Sequence, residues 1–282
     1  MRLAISNIAW EPSEDKQILE VLRRHKVNCI EVAPTKWWTR PTEVSSDEAK
    51  ETRMKWSDEG FELVAMQSLL FNRPDLQLFL NQESRKALQL YLEQIMLLAS
   101  WIGTRKLVFG SPKNRMLSNM HYDEAMDTAV QFFRDIGVFA QNVGVVFCIE
   151  PNPPAYGCDF ITNTSEGIQL IKSVDHPGVR LHLDAAALTL NHEGVPQSIH
   201  AALPYLSHVH LSEPYLNLLN ENSSSIKKMI KSLKQHSYDG IVSIEMKAGV
   251  KNHNFEAVEH AVSISQAALA EAEAFRGTAG GK

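Results

Sequence analysis

The sequence predicts a (β/α)8 TIM barrel, formed as a single α/β domain over residues 1–275. Two observations lead to this fold class. Short apolar runs rich in β-branched residues alternate with longer segments of helical periodicity, which is typical of a parallel sheet built from βαβ crossovers. Eight such units in 282 residues give about 35 residues each, and eight is the number that closes the barrel.

The predicted strands share a short length and nearby Gly, Pro, Asn or Asp residues. They lie at residues 3–8, 27–32, 61–66, 106–109, 145–149, 179–183, 206–211 and 241–244. The predicted helices have apolar residues on one face and lie at residues 15–25, 47–60, 84–102, 122–143, 165–174, 223–237 and 254–275. After the sixth strand, Gly194 and Pro196 leave room for a short helix only.

Length alone would also allow two domains, and a doubly wound open sheet is the structural alternative. Neither GxGxxG nor GxxxxGK[ST] follows the first strand, so the fingerprints of nucleotide-binding sheets are missing. No linker rich in Pro, Ser or Gly divides the chain. Only residues 276–282 have the composition of a flexible tail, so we expect one domain.

The composition excludes several classes of protein. With 44% hydrophobic and 22% charged residues, the chain resembles an ordinary soluble globular protein. A net charge of −5 argues against a nucleic-acid partner, because such surfaces neutralise phosphates. Three scattered cysteines make no disulfide framework, and no apolar stretch approaches the roughly 20 residues of a membrane span. We therefore expect a cytoplasmic protein with no membrane partner.

Polar residues follow the last four predicted strands, at the face of the barrel where chemistry takes place. Glu150 follows the fifth strand, Asp184 the sixth, His210 lies in the seventh and Glu245 closes the eighth. The intervals of 34, 26 and 35 residues are each close to one βα unit. These side chains should therefore lie at similar height on one side of the barrel mouth.

A cation would explain this arrangement. A single carboxylate at a strand end is ordinarily a loop cap or a salt-bridge partner, but several unpaired buried carboxylates are very costly. Three carboxylates with one imidazole suit Mn²⁺, Mg²⁺ or Co²⁺ better than a metal that prefers thiolates. His182 and His208 face the same way but lie deeper, because side chains on a strand alternate with period two, so we expect them to support the site or fill the core.

The segments IEPN around Glu150, HLD at Asp184, HVHLSEP at His210 and SIEMK at Glu245 resemble the metal site of the xylose-isomerase-like sugar isomerase/epimerase superfamily. The resemblance is closest to the D-tagatose 3-epimerase, or ketose 3-epimerase, branch. It implies one divalent ion, Mn²⁺ foremost, held by these four side chains. It also implies that Glu150 and Glu245 are the acid/base catalysts, and that the protein is a homo-oligomer, a dimer or a tetramer.

Three positions depart from that branch. Ala187 stands where the branch carries a histidine, Leu216 where it carries an arginine, and Tyr156 where it carries a carboxylate. These are substrate contacts in the branch, so the class of chemistry stands and the identity of the sugar is open. Polar and aromatic residues near the strand ends give our candidate substrate contacts, namely Trp38, Gln67, Asn152, Tyr156, Glu213 and Lys247.

The leading interpretation is a metal-dependent sugar isomerase or epimerase that moves a proton beside the carbonyl of a keto-sugar through an enediolate. The alternative is a lyase of the inosose-dehydratase kind, which expels a hydroxyl after the same proton abstraction. An endonuclease IV-like repair enzyme would need three zinc ions and many more ligands. A non-catalytic sugar-binding module is the fourth interpretation, and it predicts that the carboxylates are dispensable.

Overall fold

The computed structural model describes the backbone of residues 1–279 and the side chains of residues 1–274. Eight parallel strands form a closed barrel in chain order, which confirms the predicted (β/α)8 fold. The strands are Arg2–Ser6 (β1), Cys29–Val32 (β2), Glu62–Met66 (β3), Lys106–Phe109 (β4), Val146–Ile149 (β5), Val179–Asp184 (β6), Leu206–Ser212 (β7) and Ile241–Glu245 (β8).

Helices alternate with these strands within the described residues. They are Asp15–Arg24 (α1), Ser46–Asp58 (α2), Gln82–Ile102 (α3), Tyr122–Val143 (α4), Thr164–Val174 (α5), Ala185–Leu190 (α6), Val195–Ala202 (α7), Ser224–Gln235 (α8) and Asn254–Ala279 (α9). Local signals set their ends. The Asn81 side chain accepts a hydrogen bond of 2.8 Å from the Ser84 N–H and caps α3, and Gly103, with φ of 86°, ends it.

The unit after β6 differs from the prediction of one short helix, because it holds two, α6 and α7. Asp184 caps α6 by accepting a hydrogen bond from the Ala187 N–H, and the turn after α6 contains His192 with φ of 54°. Gly194 and Pro196 then begin α7, since proline is tolerated in the first turn of a helix. The break between α6 and α7 therefore lies just before Gly194 and Pro196.

The hydrophobic core lies between the barrel and the surrounding helices. Phe109 of β4 and Phe147 of β5 lie 5.4 Å apart between ring centroids, and Phe133 of α4 packs on both at 5.7 and 6.2 Å. Such contacts hold the helices against the barrel wall, and the loops after the strands surround the carboxyl ends of the strands.

The register of the last three strands positions the predicted site. Asp184 lies beside His210, one strand away, and Ser212 lies beside Glu245. One layer deeper, His182 lies beside His208. The predicted ligands on neighbouring strands therefore stand at the same end of the barrel.

The end of the chain leaves one prediction open. Side chains from residue 275 onward and the backbone of residues 280–282 lie outside the described residues, so the domain boundary at 275 and the flexible tail at 276–282 stay predictions. Among the helices of residues 1–279, none combines the length and the apolar character that crossing a membrane requires.

Candidate metal centre

The structure brings the predicted metal ligands together at the mouth of the barrel. Glu150, Asp184 and His210 each offer one ligand atom, and these atoms lie within 4.8 Å of one another. Glu245 lies next to this group, because the Glu245 Oε2 is 3.2 Å from the His210 Nδ1. The Glu150 and Glu245 side chains are 13% and 12% exposed, so both can meet a molecule that enters from solvent.

A carboxylate on the opposite side of the barrel orients His210. The His210 Nε2 lies 3.1 and 3.0 Å from the two carboxylate oxygens of Glu31, and His208 Nε2 lies 3.1 Å from the same Glu31. Because an ionised carboxylate only accepts hydrogen bonds, the Nε2 of His210 carries a hydrogen and donates it to Glu31. The His210 Nδ1 is buried and faces the Glu245 Oε2 at 3.2 Å.

The same contacts set the charges in the barrel interior. Burial raises the pKa of Glu31, but His210 and His208 outweigh burial and hold this pKa well below its usual range. Burial lowers the pKa of His210, but Glu31 and Glu245 outweigh it and hold this pKa well above its usual range. Burial lowers the pKa of His208. Burial, together with the neighbouring imidazoles of His210 and His208, lowers the pKa of His182 well below its usual range. The interior therefore holds a Glu31–His210 ion pair beside two neutral imidazoles.

The carboxylates at the mouth repel one another. Burial and then the charges of Glu245 and Asp184 raise the pKa of Glu150 to about 8. Burial and then Glu245 raise the pKa of Asp184 to about 6, although the Ser212 hydroxyl and the Ala187 N–H, at 2.7 Å, both donate to it. Three carboxylates beside the His210 Nδ1, which lies 3.2 Å from the Glu245 Oε2, fit a divalent cation, which would offset their mutual repulsion.

The loop after β4 positions Glu150. A Cβ built on Gly110 would fall well inside contact distance of the Glu150 Oε2 and 3.4 Å from the Asn152 Oδ1. The Arg115 Nη2 donates to the Glu150 backbone oxygen at 2.7 Å and to the Asn152 Oδ1 at 3.0 Å. Arg115 is only 1% exposed. The close approach of the Glu150 carboxylate therefore depends on a glycine and on a buried guanidinium.

A cavity of about 390 Å³ opens over the carboxylates. Its lining residues are Gln67, Ser68, Val108, Gly110, Ser111, Pro112, Glu150, Asn152, Tyr156, Tyr215, Leu216 and Glu245. Gln67, Asn152 and Tyr156, three of the predicted substrate contacts, thus line the cavity, and their role in binding stays a prediction. Gln67 is held by a hydrogen bond of 2.7 Å from its Nε2 to the Ser6 Oγ.

The other predicted substrate contacts do not line this cavity, and their role stays a prediction. The Trp38 Nε1 donates to the Glu48 Oε1 at 2.9 Å, and its ring packs edge-on against Trp37. Glu213 pairs with Asn217 across a turn. The Lys247 side chain is exposed, while its backbone N–H donates to the Leu216 oxygen at 3.0 Å.

Sequence reasoning missed the roles of Glu31, Gly110 and Arg115. For Glu31 a signal exists, since a glutamate inside the apolar strand CIEV must face a partner if it is buried. For Gly110 and Arg115 no spacing argument points to Glu150, because both contacts depend on the course of the loop after β4.

Fold and site together define a (β/α)8-barrel protein with a carboxylate–imidazole centre at the carboxyl ends of its strands. The chain belongs to the xylose isomerase-like TIM barrel family, whose model matches residues 19–272. This membership confirms the resemblance found in the sequence.

Individual relatives are similar over part of the chain or in fold. A segment of 88 residues, 31% of this chain, is 30% identical to a D-psicose 3-epimerase of Ruminiclostridium cellulolyticum and spans 29% of that protein's length. A segment of 86 residues, 30% of this chain, is 30% identical to an L-ribulose 3-epimerase of Methylomonas sp. and spans 30% of its length. The structure of an L-ribulose 3-epimerase superposes on this one with a TM-score of 0.82 at 16% identity, covering 100% of this chain and 98% of the other.

Proposed function

We propose that the protein is a divalent-metal-dependent isomerase that epimerises or isomerises a keto-sugar, with Glu150 and Glu245 as its acid/base pair. The observation that carries this proposal is that both glutamates line one cavity, from β5 and β8, with the strands of Asp184 and His210 between them. The similarity to D-psicose and L-ribulose 3-epimerases supports the same class of reaction.

The residues that would hold the ion are Glu150, Asp184, His210 and Glu245, and we infer Mn²⁺ with Mg²⁺ or Co²⁺ as substitutes. When bound, such an ion stabilises the negative charge that develops on a carbonyl oxygen as a proton leaves the neighbouring carbon. His210 is suited to ligation through Nδ1, because Glu31 occupies its Nε2.

The two glutamates differ from Asp184 in what they can do. Asp184 is fixed by the Ser212 hydroxyl and the Ala187 N–H, so its role is to hold rather than to transfer a proton. Glu150 and Glu245 line the cavity and are 13% and 12% exposed, so both carboxylates can reach a bound substrate. In an epimerisation one glutamate withdraws the carbon-bound proton, and the other returns a proton to the opposite face of the same carbon.

Proton NMR in D₂O tests this proposal. The protein is loaded with Mn²⁺ and incubated with ketoses, keto-inositols and sugar acids. We expect deuterium at a carbon beside the carbonyl of a keto-sugar, a product that keeps its oxygen atoms, and no exchange after removal of the metal with EDTA. A product that has lost water would identify a lyase instead. Absence of exchange from every compound would contradict the proposal.

A further inference from the structure

The lining of the substrate cavity is divided by chemical character. The polar lining residues are Glu150, Glu245, Gln67, Ser68, Ser111 and Asn152, whereas three residues after β5 and β7 are largely apolar. We call this second group, Tyr156, Tyr215 and Leu216, the tyrosine rim.

No lysine or arginine is among the residues that line this cavity in the described part of the chain. Arg115 lies close by, but its guanidinium is buried and donates to the Glu150 backbone oxygen and to Asn152. Lys247 is exposed outside the lining. Phosphate and carboxylate groups are usually recognised by such cations, so this lining offers them no cationic side chain.

Hydrogen bonds and a ring contact hold the residues of the tyrosine rim in place. The Tyr215 N–H donates to the Tyr156 hydroxyl oxygen at 3.1 Å, and the two rings meet edge to face with centroids 5.6 Å apart. The loop is anchored where the Lys247 N–H donates to the Leu216 oxygen at 3.0 Å. Two loops from different strands are thereby joined beside one cavity.

The backbone of the tyrosine rim is strained. Tyr215 and Leu216 are consecutive residues with φ of 62° and 57°, in the left-handed region that favours glycine. Tyr215 remains 56% exposed, so burial in the protein core does not compensate for this conformation. Strained backbone of this kind concentrates at active sites and ligand clamps.

We propose that the substrate is a neutral keto-sugar joined to a second ring, as in a glycoside, and this inference rests on the proposed function. The keto end lies between Glu150 and Glu245, and the second ring packs on the tyrosine rim. An apolar ring face suits aromatic side chains, whereas a phosphate ester or a carboxylate at that end of the substrate would find no lysine or arginine among the lining residues.

A matched series of probes tests the inference. Deuterium exchange is measured with the Mn²⁺-loaded protein on 3-keto-D-glucose, its 6-phosphate, its phenyl β-glycoside and D-fructose. We expect kcat/KM for the phenyl glycoside to exceed that for 3-keto-D-glucose at least tenfold, with no exchange from the phosphate. Equal or better turnover of the phosphate or of D-fructose would overturn the inference and leave the proposed function standing. Absence of exchange from all four would overturn the inference, and the wider screen of ketoses and keto-inositols would then decide the proposed function separately.

A binding measurement separates the tyrosine rim from the chemistry. Phenyl β-D-glucoside lacks the keto group, so calorimetry reports its binding without reaction. Tyr215→Ala should weaken this binding at least tenfold and reduce the preference for the keto-glycoside over 3-keto-D-glucose by a similar factor. The matched control is Phe71→Ala, an exposed aromatic residue outside this cavity, which should change neither quantity. Unchanged binding in Tyr215→Ala would overturn the inference.

Discussion

Glu31 in β2 and His210 in β7 bind each other across the barrel interior, with the His210 Nε2 3.0 and 3.1 Å from the two carboxylate oxygens. Both residues are at most 1% exposed. The contact fixes the ring and its proton, so that Nδ1 faces Glu245 and the mouth of the barrel. A histidine that ligates a metal ordinarily has such an acceptor on its other nitrogen.

Replacing Glu31 by glutamine tests this relationship. Glutamine keeps the size of the side chain but removes the charge and one acceptor, so we expect Mn²⁺ affinity to fall by about 10- to 100-fold. Isothermal titration with Mn²⁺ measures the loss, and circular dichroism checks that the barrel persists. Glu62→Gln, an exposed glutamate on β3, is the matched control and should bind Mn²⁺ as the unaltered protein does. Equal affinity in the Glu31 and Glu62 variants would contradict the role of Glu31.

Gly110→Ala should displace the Glu150 carboxylate, because the added methyl group would collide with its Oε2. A shift of about 1 Å in a catalytic group costs roughly 100-fold in rate, so we expect a loss of that order in kcat/KM with thermal stability largely retained. The comparison is Gly194→Ala, where φ is −69° and the neighbour is the flexible end of Gln197. If the two variants lose activity equally, Gly110 does not position Glu150.

The raised pKa values of Glu150, to about 8, and Asp184, to about 6, predict how stability depends on pH. A carboxyl with a raised pKa in the folded state contributes stability below its ordinary value and loses it as pH rises through the folded value. His182 and His208, with lowered pKa values, add stability as the pH rises towards their ordinary value of 6.5. Above it, from about pH 6.5 to 8, the metal-free protein should therefore lose stability, while Mn²⁺, which needs deprotonated ligands, restores it.

The difference in Tm between the Mn²⁺-loaded and EDTA-treated protein should consequently widen from about pH 5 to 8. Differential scanning calorimetry measures it at each pH. In Glu150→Gln, the metal-free protein should lose less stability over the same range, because this group no longer titrates. A Tm difference that stays constant with pH would show that these carboxyls are not the ligands.

The sequence predicted the barrel because hydrophobic periodicity is a local signal that recurs in every unit. Strand ends were less well predicted. Strand β6 includes Asp184 and β8 includes Glu245, since pairing with His210 and Ser212 continues the ladder past the apolar run. Hydrophobicity alone locates the end of the apolar run but not the polar residue at which strand pairing stops.

The positions of site residues could be predicted where the spacing of strands along the chain determines them. They could not be predicted where they depend on the course of a loop or on contacts between strands that are not neighbours. Asp184 and His210 come together because every strand ends at the same face. The contact of Glu31 with His210 joins residues on strands that are not neighbours in the barrel. Trp38 and Lys247 follow strand ends in the sequence, yet neither side chain lines the cavity in the folded chain.

The central claim is that Glu150 and Glu245 together move a carbon-bound proton, and deuterium exchange in the two single variants tests it most directly. On a keto-sugar that the unaltered protein exchanges in D₂O, Glu150→Gln and Glu245→Gln should each abolish exchange, with Glu62→Gln as the active control. Metal analysis of each variant accompanies the measurement. Full exchange in both glutamate variants would contradict the account.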